Sequence, residues 1–432
     1  MKKILPLFFI LLFIFCSTQQ EDVSIIYGKL VGYNGKPLKN VDIKFNFIGK
    51  VKPVSLNLEK DGSYQIKTKH IGYINIEFSG ANHRSVDVPI LLSKPQIIRL
   101  NIVLSSNEFN NDSNIQFMDT SSLSAKYHLI NEWFKEYKNK NDMEKAGEEI
   151  FAKIASEKDI DTKSLLCYTY MMNFFNTPEL DPDRAKEILQ IIPPSSIVWT
   201  MSPNFLMWFS FILPKEDLGL LNGYIERVSN ENKYQSVRAE AISYFLSLAE
   251  MEEDSIKIRK LYKRLITECP ESFRARDARF KYEILAPGKE VPSFSVTSID
   301  NPEEVYTEKS LLGKVYLIEF WETKCGFCRA ELPFLHDVYK KYKEKGFEIL
   351  SLSIDDSPVE VTNFRKGKWE MPWLHAFLKG GFENEIAKRF GVHGVPTPIL
   401  IDAEGKIVAS GDRLRQEDLV KTLADYFGEE SS

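Results

Sequence analysis

Residues 315–333, V-Y-L-I-E-F-W-E-T-K-C-G-F-C-R-A-E-L-P, constrain this chain more than any other stretch. Residues 315–321 are a run of β-formers that reads as a buried strand. Cys325-Gly326-Phe327-Cys328 comes within four residues of its end. Leu332, Leu335, Val338, Tyr339 and Tyr342 then recur at helical spacing up to Gly346. Cys325 therefore sits where a strand gives way to a helix N-terminus. Unpaired N–H groups and the helix dipole favour an anion at that point. The thiolate is the reactive form of cysteine, so the position makes Cys325 a nucleophile. Cys328 lies one helical turn on, within reach to close a disulfide.

A lone C-x-x-C is also half of a zinc site, which needs a second ligand pair at matching spacing. Cys167 and Cys269 are isolated, and none of the six histidines forms an H-x3–5-H pair. No metal is expected. The E-F-W before the cysteines, the R-x-E-x-P after them and the G-V-P-T of residues 394–397 resemble the thioredoxin fold, and most closely the membrane-tethered TlpA/ResA group of bacterial thiol-disulfide oxidoreductases. The resemblance covers roughly the last third of the chain.

At 432 residues the chain is too long for one core, and it reads as several domains. A net charge of −5 with 27% charged residues gives no reason to expect a nucleic-acid partner. Lys2 and Lys3 precede an apolar run over residues 4–15, and polar residues 17–20 come after it. This is a secretory leader pattern, and the run is shorter than the ~20 residues that span a bilayer. Cys16, at the end of the run, resembles the lipid-bearing cysteine of bacterial lipoproteins, although Phe15 is bulkier than that family's usual neighbour. A retained anchor and plain secretion are the alternatives. All three take the chain out of the cytoplasm, to the periplasm or cell envelope.

The order of domains is read from changes of period. The leader occupies residues 1–22. Residues 23–104 alternate as strands do (Val41, Ile43, Phe45; Ile74, Ile76, Phe78), with turns at Asn34-Gly35 and Asp61-Gly62. They suggest a small all-β antiparallel sandwich. G-K-L-V-G-Y-N-G-K-P-L-K-N-V-D-I and E-K-D-G-S-Y-Q-I resemble the carboxypeptidase-regulatory-like domains of surface proteins. Residues 105–124, rich in Ser, Asn and Asp, read as a linker. Residues 125–286 turn helical, broken at several prolines, and suggest all-α helical hairpins. Residues 261–280 of this segment resemble a tetratricopeptide unit, without a recurring 34-residue period. The apolar residues 197–213 invite a membrane reading, but Pro203, Asn204 and their short length favour a buried helix pair. Residues 287–430 alternate strand and helix, as an α/β thioredoxin fold requires.

The resemblance then assigns roles. Cys325 attacks a substrate disulfide and Cys328 resolves the mixed disulfide. Glu319, six positions before Cys325, matches a buried acid of thioredoxins. On a strand it shares a face with Trp321, and burial would raise its pKa enough to accept a proton from Cys328. Pro396 matches the cis proline of this fold, which would free the Val395 backbone to pair with an extended substrate. Lys324 is placed to favour the thiolate, and with Trp321 completes the substrate-binding candidates. Trp369, Trp373 and Phe382 are candidates for an aromatic rim or for core.

The function expected is an exported, lipid-anchored oxidoreductase without cofactor, reducing extracytoplasmic protein disulfides with electrons from a membrane dithiol donor. Two rivals are a redox-sensing surface binding protein and a thiol peroxidase. The peroxidases of this fold carry a single peroxidatic cysteine in a different setting, which the vicinal pair argues against.

Overall fold

The computed structural model describes residues 23–429 apart from 39–40, 48–49, 56–57, 108–112, 176, 179 and 367–368. The chain divides into two compact units, Met1–Glu252 and Glu253–Ser432.

The first unit begins with strands β1 (Ser24–Gly32), β2 (Val41–Phe47), β3 (Lys50–Ser55), β4 (Ser63–Thr68), β5 (Gly72–Gly80), β6 (Val86–Leu92), β7 (Ile97–Leu104) and β8 (Asn114–Phe117). They form two sheets, ordered β4-β1-β7-β8 and β3-β2-β5-β6. The alternating residues do what their period dictates. Ile26, Leu30, Leu100 and Ile102 of one sheet meet Ile43, Phe45, Ile74, Ile76 and Phe78 of the other in one apolar core. The sandwich is antiparallel except that β1 and β7 run parallel. The chain crosses between the sheets and returns before making β7, so no tight hairpin fixes that pair's direction. Part of the expected linker is structured. β8 lies inside residues 105–124 and pairs with β7, and Phe117 is buried. Its alternation is short and was hidden by the polar composition around it.

Helices α1 (Leu123–Asn139), α2 (Met143–Ser156), α3 (Ile160–Phe174), α4 (Pro182–Ile191), α5 (Phe205–Ile212), α6 (Leu218–Glu231) and α7 (Gln235–Met251) complete this unit. Ser122, Asp159 and Asp181 cap α1, α3 and α4 through their side chains, satisfying N–H groups that the first turn leaves free. The apolar stretch resolves into a 3-10 turn over Ile197–Thr200 and the short α5. Trp199, Phe205 and Phe209 of this stretch are buried in the helical core. No helix among the described residues is long and apolar enough to cross a membrane. Strands and helices of this unit share packing: Leu91 of β6 lies in the helical core, and its N–H donates to Ser124 Oγ at 2.9 Å.

The second unit opens with α8 (Ser255–Glu268) and α9 (Phe273–Arg279), the latter running into a π-helical turn over Phe280–Ile284. Helical periodicity groups these residues with the helices before them, but they pack into the same unit as the C-terminal α/β fold. After the small hairpin β9 (Ser295–Thr297) and β10 (Val305–Thr307) come β11 (Val315–Trp321), α10 (Gly326–Tyr342), β12 (Phe347–Ser353), α11 (Pro358–Arg365), β13 (Leu374–Phe377), α12 (Glu385–Arg389), β14 (Thr397–Ile401), β15 (Ile407–Ser410) and α13 (Gln416–Tyr426). The sheet order is β13-β12-β11-β14-β15, with β11, β12 and β13 parallel and β14 antiparallel to β11. This is the α/β thioredoxin fold. β11 is central and every residue in it is buried. Tyr316, Ile318 and Phe320 pack on one face. Val315, Leu317 and Trp321 pack on the other, against Leu332, Leu335 and Val338 of α10 and Leu419 and Leu423 of α13.

Candidate active site

β11 runs to Trp321, a three-residue turn comes next, and Cys325 caps α10. Its backbone is extended (ψ 113°), and its Sγ accepts a hydrogen bond from Cys328 N at 3.0 Å. The N-terminal end of a helix faces this sulfur, so negative charge on it is favoured. Cys325 and Cys328 form a disulfide, with their Cα atoms 5.3 Å apart. The two sulfurs are not equivalent. Cys328 is 1% exposed, whereas Cys325 is half-buried and open to the surface.

The turn before the cysteines is latched to the end of β12. Asp355, buried, accepts from Thr323 N at 3.0 Å and from Thr323 Oγ1 at 2.6 Å. Ser353 Oγ donates to the same carboxylate at 2.8 Å. Lys324, exposed, points the other way. Its ammonium lies 3.3 Å from both Asp356 and Glu360, so its field at Cys325 is offset by two carboxylates.

Glu319 occupies the face that strand alternation assigns it, toward α10 and α13. It is 3% exposed, and its Oε2 has no hydrogen-bond partner among the described residues. Burial pushes its pKa up to about 8. The neighbouring Glu331 charge adds to this, and Arg415 opposes it. Glu331 itself is buried on α10. Its Oε1 accepts from Arg415 Nε, and its Oε2 accepts from Gln416 N at 2.8 Å. One carboxylate beside the cysteines thus has a cationic partner and a backbone N–H on it. The other lacks a cationic partner in hydrogen-bond contact and retains its proton near neutral pH.

Across from Cys325, the Val395–Pro396 peptide bond is cis. Val395 O lies 3.6 Å from Cys325 Sγ, and both residues are half-buried. The structure therefore brings Cys325, Cys328, Glu319, Val395 and Pro396 to one end of the sheet. Trp321 departs from the expected substrate surface. It is 1% exposed, shares a core cluster with Cys328 and packs on Phe364 at 5.6 Å between ring centroids, because strand alternation fixes its face but the helical layer covers that face. Trp373 is core as well, its indole N–H donating to Ser351 Oγ at 2.8 Å. Cys16 lies outside the described residues.

Arg415, Gln416 and Asp355 were not singled out from the sequence, and Glu331 entered only as the acid of the R-x-E-x-P motif, with no role given. Glu331 comes one helical turn after Cys328, a spacing that offered a signal. Arg415 comes 84 residues later, and only the fold brings it near. Cys167 and Cys269 are buried and in no disulfide, and burial pushes the Cys167 thiol up to about 12, which keeps it unreactive. No cluster of His, Cys, Asp and Glu suited to a metal occurs among the described residues.

Residues 286–423 match the Redoxin family model. Over 146 residues the chain is 36% identical to the thiol-disulfide oxidoreductase ResA of Bacillus thuringiensis subsp. konkukian (strain 97-27), taking in 34% of this chain and 79% of that protein. It is 33% identical over 121 residues to the thiol:disulfide interchange protein DsbE of Tatumella citrea, or 28% of this chain and 62% of that protein. Among solved structures, the thioredoxin domain of a thiol-disulfide oxidoreductase from Bacteroides vulgatus matches at 29% identity with a TM-score of 0.30, covering 33% of this chain and 98% of that one. Since residues carrying an asymmetric cysteine pair at a helix N-terminus also span most of ResA at this identity, the chain belongs to the ResA family of thiol-disulfide oxidoreductases.

Proposed function

We propose that this enzyme is exported, held at a membrane by a lipid on Cys16, and reduces disulfides in extracytoplasmic proteins. The observation that carries the reading is the asymmetry of the pair: an accessible Cys325 sulfur beside the Val395 carbonyl, over a buried Cys328. In the reduced enzyme the Cys325 thiolate attacks one sulfur of a substrate disulfide. A new S–S bond forms, the old one breaks, and the first substrate thiolate leaves. Glu319, ionised for this step, takes the proton from Cys328. The Cys328 thiolate then attacks Cys325 and expels the second substrate thiolate. Two electrons have moved to the substrate, and the enzyme is left with its Cys325–Cys328 disulfide. A membrane dithiol donor returns the two electrons. Val395 offers its backbone to an extended substrate segment.

The test is turnover. A catalytic amount of mature protein with dithiothreitol in excess as the electron source should reduce a protein disulfide such as that of insulin at least about tenfold faster than dithiothreitol alone. Intact mass of the protein recovered from membranes should show acylation at Cys16. A rate equal to the uncatalysed one would refute the reductase reading, and a mature N-terminus at or beyond Ser17 without acyl mass would refute the anchor.

A further inference from the structure

The α8–α9 hairpin lies outside the strand–helix alternation of the redox fold, yet it meets the loop that carries Val395. Ser272 caps α9, its Oγ accepting from Ala275 N at 3.0 Å, and two aromatic rings project from this segment. Phe273 meets the His393 imidazole edge-on, with centroids 5.3 Å apart at 60°. Phe280, at the start of the π-helical turn, approaches the same imidazole at 6.2 Å and 76°. Phe280 also lies against Gly391. A Cβ at that position would overlap the ring, and the glycine has a φ of 65°. Gly391 therefore answers two demands, a left-handed backbone and a ring against its Cα.

These contacts fall at one end of a six-residue loop, Gly391 to Pro396, whose other end borders Cys325. For pairing with a substrate strand, the backbone is the part of this loop whose placement matters most. Backbone N–H and C=O positions in such pairing tolerate little displacement, because hydrogen bonds weaken steeply with distance and angle. Behind the rings the hairpin is anchored to itself: the Arg279 guanidinium donates to the carbonyls of Pro270 and Ile266, both at 3.3 Å. Arg276 lies over the Phe273 ring at 5.4 Å.

We propose that α9 and its π-helical turn are the positioning element for the substrate-pairing loop, so that Phe273 and Phe280 set how well the enzyme takes extended polypeptide disulfides. This inference rests on the reductase reading above. It gives the hairpin a part in catalysis that its helical sequence alone suggests only as scaffold. A small disulfide needs Cys325 but no strand pairing. The two substrate classes therefore separate loop placement from thiol chemistry.

The experiment compares full-length wild type, Phe273→Ala, Phe280→Ala and His393→Ala on two substrates, insulin and the small aromatic disulfide of Ellman's reagent. The reduction potential of each protein is read in parallel. The expected result is a KM for insulin raised about tenfold in the three variants, since small displacements of a positioned group carry costs of that order or more. Their kcat for insulin, reaction with Ellman's reagent and potential should stay within about twofold of wild type. Phe273→Leu should restore part of the insulin KM. Insulin KM values equal to wild type would overturn the proposal. So would equal losses on both substrates, which would make the rings ordinary core. Wild type that turns over neither substrate would overturn the reductase reading first, and this inference with it.

Discussion

Cys325→Ser protein reduces no disulfide at a measurable rate, a loss of at least about a thousandfold, because a serine hydroxyl at this helix N-terminus supplies no nucleophile comparable to a thiolate at neutral pH. Cys328→Ser behaves differently. It retains the attacking sulfur and lacks the resolving one, so it accumulates a mixed disulfide with insulin through Cys325. Non-reducing electrophoresis and mass spectrometry of the trapped species read the result directly. The two variants differ because Cys325 is open beside Val395 while Cys328 is buried beneath it. Equal trapping by both, or trapping by Cys325→Ser alone, would reverse the assignment of attack and resolution.

Glu319→Gln slows the resolving step by about a hundredfold, the usual contribution of a positioned proton acceptor. In wild type the step accelerates with pH until Glu319 is ionised and levels off above about 8. In the glutamine variant that inflection disappears. Stability gives an independent readout with a definite sign. The folded pKa is raised from 4.5 to about 8, so the folded state binds more protons than the unfolded chain between these values. Stability must therefore fall as pH rises through that window, by an amount on the order of a few kcal/mol, and level off above it. Below about pH 4.5 the acid is protonated in both states and contributes no slope. Denaturant midpoints of wild type and Glu319→Gln at pH 4.5, 6.5 and 8.5 should diverge with pH, the variant losing less. Parallel midpoints would mean that Glu319 does not hold its proton in the fold.

What the sequence made legible was local. A buried strand, a C-x-x-C and an amphipathic helix are read from adjacent residues, and β11, Cys325 and α10 stand as those residues require. Glu319 was singled out by the resemblance, and only its burial and face were legible from its apolar neighbours and a period of two. Trp321 was placed at the substrate by the resemblance, whereas alternation sets it on the Glu319 face, which the helical layer covers. The Glu331–Arg415 pair was out of reach because its halves come from α10 and the segment before α13. Lys324 read as a cation near a thiol, but Asp356 and Glu360, supplied by another part of the chain, face its ammonium. Nor did helical periodicity tell where α9 belongs. Phe273 and Phe280 needed a partner, and Gly391 and His393 are more than a hundred residues away.

The reduction potential of the Cys325–Cys328 couple tests the central claim most directly. Mature protein is equilibrated in graded thiol buffers and the reduced fraction is read as an alkylation mass shift. A reductase supplied from a membrane dithiol should titrate as a single reversible two-electron couple near the roughly −270 mV of thioredoxin. A couple near the roughly −120 mV of a strong oxidant, or no reversible couple at all, would contradict it.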